Sequence, residues 1–341
     1  MLGNVLGWFS NDLAIDLGTA NTLVYIKGKG IICNEPSVVV MRMDNRKIVS
    51  VGTEAKKMLG KTPMEMVAIR PLRDGVIADF DATETMLKYF IKRVHNGRSF
   101  VAPKVVIGVP SGITQVEQRA VKDAAQASGA RETYLVSEPI AAAIGVGLPV
   151  GEPAGNMIAD IGGGTTDVAV ISLDGVVFSK AVDVGGDKMD EAILGFIKRK
   201  YNLLIGDSTA EQIKIEIGSA YKNGQNGRAM EIKGREISSG IPKTIPIHES
   251  EIRDALAEPV NAILDTIKIT LENIPPELGA DILDRGIFLA GGGALLRGID
   301  QFIQDEIGVP VIVAEDPLSA VIRGVGKLLD ELDLIKQVAM N

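Results

Sequence analysis

Short apolar runs that end in a glycine-rich turn recur along this chain. The run Met157–Ala159 leads into Asp160–Gly164, and an alternating apolar run then continues to Ile171. This order predicts a strand, a tight turn and a second strand, which together form a β-hairpin. The same order occurs at 13–26, where an apolar run leads into Asp16. The pattern therefore predicts two similar hairpins, well over a hundred residues apart.

Amphipathic segments with helical spacing separate further apolar strands. At 82–95 apolar residues recur on one helical face, and Thr114 followed by Glu117 forms a capping box at the start of another helix. Strands that alternate with helices predict α/β architecture with largely buried sheets. Helices are predicted at 53–59, 82–95, 114–127, 140–145, 190–201, 209–221, 249–271, 317–332 and from 294 onward, and further strands at 30–40, 104–109, 133–136, 176–184, 229–232, 244–247, 286–290 and 309–313.

Composition narrows the class of protein. A chain of 341 residues suits two domains, and its 46% hydrophobic and 23% charged residues are an ordinary globular balance. The net charge of −8 and the 4% of aromatic residues argue against a nucleic-acid partner, which requires clustered Lys and Arg or stacking rings. Cys33 is the only cysteine, so an internal disulfide is excluded and a reducing compartment fits. Because His95 and His248 are the only histidines, we expect no His-based metal site and no Ser-His-Asp triad.

The residues at the two hairpin turns suit phosphate and magnesium. Backbone N–H groups of a glycine turn can approach an anion closely because no Cβ blocks them. A carboxylate at the end of the incoming strand can hold a hydrated magnesium ion that in turn holds the phosphate. Asp16 aligns with Asp160 at this position, and Thr22 aligns with Thr166. The matched pair predicts two related half-molecules that face one phosphate chain; the alternative is two ordinary glycine-rich hairpins.

A third glycine-rich strand exit, Gly291-Gly292-Gly293, follows the apolar run 286–290. It fits a backbone-lined slot in which a flat ring or a ribose lies against a helix N-terminus. It is not the dinucleotide fingerprint, because Leu296 stands where the last glycine is needed.

The N-terminal segment carries an amphipathic pattern. At about 100° per residue one side of a helix would be apolar, formed by Met1, Leu2, Val5, Leu6, Trp8 and Phe9. A short helix of this kind suits a membrane interface, and the alternatives are a frayed tail or packing on the protein body. No stretch approaches the roughly 20 apolar residues of a membrane-spanning helix.

Four segments together carry a resemblance to a known superfamily. Asp16–Thr22, Glu138-Pro139, Asp160–Asp167 and Gly291–Leu296 resemble, in order and spacing, the phosphate 1, connecting, phosphate 2 and adenosine motifs of the ATPases that include actin, sugar kinases and heat-shock chaperones. The residues of these segments and of Asn34-Glu35-Pro36-Ser37 are similar to those of the MreB family of bacterial actins. The resemblance covers nearly the whole chain.

The resemblance implies an α/β, actin-like ATPase fold with two similar domains, each with a smaller inserted subdomain, and the nucleotide in the cleft between them. Domain I is expected at 1–149, with its core at 1–38 and 79–149, the inserted subdomain at 39–78 and the C-terminal helix 318–341. Domain II is expected at 150–317, with its core at 150–187 and 249–317 and the inserted subdomain at 188–248.

The resemblance also implies the site and its cofactors, ATP and Mg²⁺. Asp16 and Asp160 would bind magnesium through water, and Glu138 would orient the attacking water; the alternative for Glu138 is a helix-start carboxylate favoured by the helix dipole. Asp167 is expected to be an ordinary solvent-facing strand residue. Phosphates would lie against Thr19, Ala20, Asn21, Gly162, Gly163 and Gly164. Ribose and base would lie against Ala210, Glu211, Gln212, Ile213, Lys214, Gly291, Gly292, Gly293 and Ala294.

The function that follows from the resemblance is that of a polymerising ATPase. Its filaments would lie in the cytoplasm on the inner face of the cell membrane and, with membrane-bound cell-shape and wall-synthesis proteins, organise rod shape. Phe100-Val101 resembles the membrane loop of the family, the alternative being that this pair packs at the start of a strand. A sugar or carboxylate kinase on the same ATPase fold is the alternative function, although no acceptor motif is evident in the sequence.

Overall fold

The computed structural model describes residues 12–95, 102–222, 227–331, 335 and 338–340. Strands occupy β1 (Leu13–Leu17), β2 (Asn21–Ile26), β3 (Gly30–Pro36), β4 (Val39–Arg42), β5 (Ile48–Val51), β6 (Met66–Ile69), β7 (Leu72–Arg73), β8 (Val76–Ile77), β9 (Lys104–Val109), β10 (Glu132–Ser137), β11 (Asn156–Ile161), β12 (Thr166–Ser172), β13 (Gly175–Val182), β14 (Leu203–Leu204), β15 (Ala229–Glu236), β16 (Pro242–His248), β17 (Ile287–Ala290), β18 (Val311–Val313) and β19 (Ala339–Met340). Helices occupy α1 (Thr53–Lys57), α2 (Phe80–His95), α3 (Gln115–Ala127), α4 (Glu138–Val146), α5 (Gly186–Tyr201), α6 (Asp207–Ile217), α7 (Glu249–Glu272), α8 (Pro276–Arg285), α9 (Ile299–Ile307) and α10 (Ala320–Asp330), with 3₁₀ turns at Gly292–Leu295 and Pro317–Ser319.

The two large sheets follow the same plan. In domain I the strand order is β3-β2-β1-β9-β10-β19, and in domain II it is β13-β12-β11-β17-β18. Each sheet begins with three antiparallel strands in sequence order, and two further strands then add parallel to the first of the three. Asp16 pairs in register with Gly108 on β9, and Asp160 pairs with Ala290 on β17. The two aspartates therefore occupy equivalent positions in two related sheets.

A shared layer of helices lies between the two sheets. Helices α4 and α10 pack against each other, and α4 also contacts strands of both sheets. Their apolar side chains join one cluster with Ala14 of β1 and Ile158 of β11. Both faces of the central strand β11 are covered, so every residue of it is buried, whereas the edge strand β13 exposes its first residues. The two sheets are thus held face to face around α4 and α10, and their strand ends meet at one cleft.

Each domain carries a small inserted subdomain above the cleft. In domain I it consists of the sheet β5-β4-β6 with α1, and in domain II it contains the sheet β14-β15-β16 and α6. Isolated three-stranded sheets need a covering helix to bury one face. The helix α1 supplies this cover in domain I, where Ala55 packs with Val38 and Val40.

Several helix boundaries differ from the sequence prediction, and one helix was not predicted. The helix predicted at 209–221 ends at Ile217, because Gly218 adopts an extended conformation. The helix predicted from 294 onward is a 3₁₀ turn, and α9 begins only at Ile299 after Gly298 in a left-handed conformation. The closing helix also begins with a 3₁₀ turn and ends at Asp330. Helix α8 was not predicted, although a proline at the first helical position, as at Pro276, favours a helix start.

Within the described ranges, no helix is both long enough and apolar enough to cross a membrane. The residues predicted to contact the membrane, Leu2, Val5, Leu6, Trp8, Phe9, Phe100 and Val101, lie outside the described residues, as does Met1.

Candidate functional site

A cleft of about 420 Å³ lies between the two domains, where the strands that carry the aspartates end. Both hairpins line it, together with the glycine-rich segment after β17. Most of the residues predicted to hold nucleotide and metal are brought together here: Asp16, Thr19, Ala20, Asn21, Glu138, Asp160, Gly162, Gly163, Gly164, Glu211, Lys214, Gly291, Gly292 and Gly293.

Four predicted nucleotide contacts lie elsewhere. Ala210 and Ile213 are fully buried in the hydrophobic core of domain II, and Ala294 is buried in the same core. Gln212 lies on the outer face of α6, where its amide donates a hydrogen bond to Glu216. A helix turns by about 100° per residue, so a run of five consecutive residues cannot face one cleft. Glu211, Lys214 and Ile215 form the face of α6 that lines it.

The two turns predicted to bind phosphate approach each other closely. A Cβ added at Gly163 would lie 2.6 Å from the Cβ of Ala20, and one added at Gly164 would lie 2.7 Å from the hydroxyl of Thr19. The Thr19 hydroxyl in turn accepts a hydrogen bond from the N–H of Gly75 at 3.0 Å. Glycine is therefore required at Gly163 and Gly164 for a steric reason, and the backbone N–H groups of both turns face one narrow space.

The first turn is held by a serine from the segment after β3. The Ser37 hydroxyl donates to the carbonyl oxygen of Gly18 at 2.6 Å and lies 2.9 Å from the Thr22 hydroxyl. Its backbone N–H donates to the carbonyl of Ala20 at 2.9 Å. Ser37 is fully buried, so these bonds are shielded from water.

The second turn is held by the start of helix α5. The N–H of Gly186 donates to the carbonyl of Gly162 at 3.0 Å, and the N–H of Asp187 donates to the carbonyl of Gly163 at 2.8 Å. These donors belong to the first turn of a helix and have no partner within the helix itself. The second turn thus supplies acceptors to two N–H groups of the helix start, and the helix start in return fixes the turn.

Asp16, Glu138 and Asp160 line the cleft and form a cluster of carboxyl groups with Asp167. Asp160 and Asp167 are buried, whereas Asp16 and Glu138 are partly exposed. Burial raises the pKa of Asp16 to about 7. Burial, with repulsion from Asp16 and Asp167, raises the pKa of Asp160 to about 8. Burial and the charges of the three aspartates also raise the pKa of Glu138 well above its usual range. Among the described residues no cation offsets these shifts at Glu138 or Asp160, so the cluster favours a bound cation or proton.

Asp167 is part of this cluster, which corrects its expected place on the protein surface. Only 1% of its surface is exposed. One carboxylate oxygen, Oδ1, accepts hydrogen bonds from the backbone N–H and the hydroxyl of Ser111, at 2.9 and 2.6 Å. Burial raises the pKa of Asp167, while the hydrogen bonds from Ser111 act to lower it. Ser111 follows β9 in domain I, so this contact joins the two domains beside the carboxyl cluster.

The residues present fit a magnesium ion that is held mainly through water. Asp160 is buried and Asp16 is partly exposed, and the pKa values of both carboxyls are raised in the absence of a neighbouring cation. A divalent ion would lower both pKa values by favouring the charged carboxylates. The described residues contain no group of three or more His, Cys, Asp or Glu side chains that could enclose a metal directly. Magnesium commonly keeps several water ligands and uses one or two carboxylates, which matches this pair.

The other end of the cleft is apolar. Leu295, Leu318 and Ile215 line it, and their exposed fractions are 54, 44 and 69%. Large apolar side chains exposed within a cleft provide a surface for a flat ring. The backbone of Gly291–Gly293 lies beside them, so the adenosine region predicted from the glycines is completed by side chains that the sequence did not reveal.

Charged residues at the cleft were also missed. Lys56 and Arg70 of the small subdomain of domain I line the cleft opposite Asp187 and Asp190 of domain II. Within domain II, Lys214 bonds to Asp190 at 2.9 Å and to the carbonyl of Gly186 at 2.8 Å. Burial raises the pKa of Asp190 to about 6, against the opposing effect of Lys214.

Comparison with known proteins agrees with this geometry. The family model described as MreB/Mbl protein matches residues 10–337. The cell shape-determining protein MreB of Escherichia coli (strain K12) is 54% identical over 340 residues, which cover 98% of this chain and 97% of the relative. The chain belongs to the MreB/Mbl family.

Solved structures place this MreB/Mbl protein in the actin-like fold. MreB5 of Spiroplasma citri, solved bound to ADP, superposes with a TM-score of 0.91 and is 39% identical, covering 96% of this chain and 98% of that one. The same protein was also solved bound to AMPPNP, again with a TM-score of 0.91. The MamK double helical filament, 24% identical, gives a TM-score of 0.80 over 94% of this chain and 99% of the MamK chain, and this likeness shows the fold alone.

Proposed function

We propose that this MreB/Mbl protein binds ATP with Mg²⁺, hydrolyses it and polymerises into filaments that lie on the inner face of the cell membrane and organise wall synthesis and rod shape. The observation that carries the proposal is the pair of Asp-Gly hairpins that face each other across one cleft, with Glu138 beside both aspartates. The nucleotide-bound structures of MreB5 and the cell-shape role in the name of E. coli MreB support it.

Each group of the cleft has a distinct task in this proposal. The backbone N–H groups of the two turns bind phosphate oxygens, which needs their close approach. Asp16 and Asp160 hold the hydrated Mg²⁺, which supplies charge neutralisation to the phosphates when it is bound. Leu295, Leu318 and Ile215 cover the base. Phosphoryl transfer depends mostly on positioning and on neutralised charge, and the cleft provides both.

Glu138 orients the attacking water and accepts its proton. It is the first residue of α4, a helix that contacts both sheets, so its position is fixed relative to both phosphate turns. Burial and the charges of the three aspartates raise its pKa, which makes it a stronger base than an ordinary carboxylate. The helix-start alternative explains its place on α4 but not its position among three aspartates, whose charges raise its pKa.

The test is ATP-dependent sedimentation of the purified protein, with electron microscopy of the pellet and measurement of phosphate release. We expect filaments and phosphate release with ATP and Mg²⁺, and neither with EDTA. A phosphorylated sugar or carboxylate in a screen of acceptors, without sedimentation, would favour the kinase alternative and overturn the proposal.

Membrane attachment rests on the N-terminal pattern and on Phe100-Val101. Each buried apolar side chain contributes about 1.5–3 kcal/mol at best, and ordering the segment costs about 1–2 kcal/mol per residue. A single anchor should therefore bind weakly and reversibly. A filament presents many anchors on one face, so its binding strengthens through avidity.

Removal of residues 1–9 tests this attachment. The truncated protein should still form filaments with ATP, but these should no longer pellet with liposomes. A variant that cannot polymerise and keeps its N-terminus should bind liposomes only weakly. Tight binding of liposomes by the truncated filaments would place the anchor elsewhere.

A further inference from the structure

Two ion pairs cross the mouth of the cleft. The ammonium nitrogen of Lys56 lies 2.8 Å from Oε1 of Glu211, and Nη1 of Arg70 lies 2.6 Å from Oδ1 of Asp187. Lys56 and Arg70 belong to the small subdomain of domain I, whereas Glu211 and Asp187 belong to domain II. All four side chains line the cleft and are about one-third exposed. Solvent screening is therefore weaker here than at a fully exposed pair.

The Arg70 pair acts on a phosphate turn through one residue. The side chain of Asp187 accepts the bond from Arg70, while its backbone N–H donates to the carbonyl of Gly163 at 2.8 Å. Arg70 is therefore bonded to Asp187, the residue whose backbone N–H holds the second turn. A shift of the small subdomain that broke this pair would remove one contact from the residue that holds the turn.

The Lys56 pair reaches the same helix start by another route. Glu211 lies on α6, and Lys214 on the same helix bonds to the carbonyl of Gly186 and to Asp190 on α5. The contact of Lys56 with Glu211 thus connects the small subdomain of domain I, through α6, to the first turn of α5. Both ion pairs converge on the element that carries the donors to Gly162 and Gly163.

We propose that Arg70 and Lys56 are positioning residues that hold the two small subdomains closed over the nucleotide and fix the second phosphate turn. The proposal rests on the proposed function, since it concerns the release of nucleotide from the same cleft. Nucleotide can leave only when both pairs separate, so the pairs set the dissociation rate. Arg70 contributes in addition to turnover, because it acts on the turn through Asp187.

The first experiment compares two neighbouring lysines of α1. Lys57 pairs with Glu54 of the same helix, and both side chains are about two-thirds exposed, so Lys57→Ala is a matched control that leaves the cleft untouched. The dissociation rate of a fluorescent ATP analogue is measured by stopped flow in the presence of Mg²⁺. We expect Lys56→Ala to release the analogue roughly 2- to 5-fold faster than the wild type, the range of a partly exposed ion pair, and Lys57→Ala to release it at the wild-type rate. Equal rates for the two variants would overturn the proposal.

A charge exchange separates the ion pair from the side chains themselves. Lys56→Glu and Glu211→Lys should each accelerate release, and the double variant should return towards the wild-type rate. Raising the salt concentration from about 0.05 to 0.5 M should accelerate release by the wild type, because salt screens the pairs, and should have less effect on Lys56→Ala. A double variant as fast as the faster single variant would also contradict the pairing.

Arg70 is tested by its effect on turnover. Arg70→Gln should accelerate release roughly 10-fold, as expected for a lost hydrogen bond between charged groups, and should lower kcat as well as raise KM. Arg70→Lys should recover much of both losses, since one donor nitrogen forms the observed bond. A thermal melt shows whether each variant is folded. An unchanged kcat in folded Arg70→Gln would remove its role towards the phosphate turn.

The failure of this inference can be distinguished from failure of the proposed function. If the wild-type protein does not bind the ATP analogue at all, the proposed function is wrong and the inference falls with it. If the wild type binds and releases the analogue, and the variants of Lys56 and Arg70 do so at the same rate, only the inference is wrong.

Discussion

The two phosphate hairpins have the same plan but are held by different groups. In domain I the side chain of Ser37 supports the carbonyl of Gly18, whereas in domain II backbone N–H groups of α5 support Gly162 and Gly163. The second turn is therefore held by backbone donors of a helix start, whereas the first is held by the hydroxyl and the backbone N–H of one serine. A repeated motif can therefore place the same types of residue in both halves of the molecule, although different hydrogen bonds hold it in each half.

Substitution of the equivalent aspartates, Asp16 and Asp160, should have the same effect in the two halves of the molecule. Asp160→Ala removes one of the two carboxylates that hold Mg²⁺ in the proposed function, and Asp16→Ala removes the other. We expect either change to abolish magnesium-dependent hydrolysis, because two carboxylates share one ion. The measurement is phosphate release at saturating magnesium, with a thermal melt as the control for folding. Unchanged turnover of Asp160→Ala would show that the halves are not equivalent at this position.

Glu138 belongs to neither hairpin. Its substitution should slow hydrolysis of ATP without weakening the binding of ATP. Glu138→Ala should slow hydrolysis by roughly 10²-fold or more, the scale of a lost general base or water-positioning group. ATP affinity should remain near the wild-type value, since both turns and both aspartates are intact. Phosphate release and equilibrium binding are measured on the same preparation. If affinity falls strongly while hydrolysis per bound ATP is unchanged, Glu138 has a structural role.

The close approach of the two turns is tested by two neighbouring glycines. A Cβ at Gly163 would lie 2.6 Å from the Cβ of Ala20 on the opposite hairpin, whereas a Cβ at Gly162 would meet only the carbonyl oxygen of Thr165, at 3.1 Å, within its own hairpin. Overpacking of this kind costs about 1–3 kcal/mol, so Gly163→Ala should weaken ATP binding by roughly 10-fold. Gly162→Ala should have a smaller effect. Equal losses at both positions would mean that contact between the hairpins does not matter for binding.

Because Asp16 and Asp160 titrate at different pH in the folded and unfolded protein, the free energy of unfolding should depend on pH. The pKa values of Asp16 and Asp160 in the folded protein are about 7 and about 8, above their value of 3.8 in the unfolded chain. The folded state therefore binds protons that the unfolded state has released, and its stability without nucleotide or Mg²⁺ falls as pH rises from about 4 to 8. The slope approaches about 1.4 kcal/mol per pH unit for each group.

Urea unfolding at several pH values in EDTA measures this loss. Asp160→Asn should flatten the dependence, because the amide does not titrate. Added Mg²⁺ should stabilise the wild type more at about pH 8 than at about pH 5, where the carboxyls hold protons. A free energy of unfolding that does not change over this range would show that burial does not raise these pKa values.

Most of the cleft was predictable because its chemistry lies in short contiguous motifs. Asp16, Asp160 and the glycines beside them stand at strand ends that the apolar pattern marks. The fold and the family were predicted by the same motifs and are confirmed by the family match and the structural comparison. The capping box at Thr114 and Glu117 was also predicted and is formed.

The remaining errors have physical causes that act over long sequence distances. Asp167 was placed on the surface because strand alternation assumes one exposed face, but a loop of domain I covers that face and the Ser111 hydroxyl bonds to it. Lys56 and Arg70 carry no local signal, since their partners lie more than a hundred residues away. Side-chain partners across a domain interface depend on how whole subdomains are oriented, and no local pattern encodes that.

The smallest expected effect comes from two substitutions that test how the two hairpins are held. Ser37→Ala leaves the buried carbonyl of Gly18 without its hydroxyl donor, and Thr166→Val removes the 2.7 Å bond from the Thr166 hydroxyl to the carbonyl of Val184. Both side chains are fully buried, so each change should lower the free energy of unfolding by about 1–3 kcal/mol.

ATP affinity should separate these two variants. In Thr166→Val the carbonyls of Gly162 and Gly163 still accept bonds from the backbone of α5, so the turn keeps its shape and affinity should stay near the wild-type value. In Ser37→Ala the first turn keeps the backbone bond to Ala20 and the bond from Gly75 to the Thr19 hydroxyl, but the carbonyl of Gly18 loses its hydroxyl donor. Affinity should therefore fall by roughly 5-fold, which corresponds to about 1 kcal/mol. Urea unfolding measures the loss of stability in both variants, and equilibrium binding measures their affinity for ATP. Equal loss of affinity would mean that the helix start of α5 supports its turn no better than one hydroxyl does.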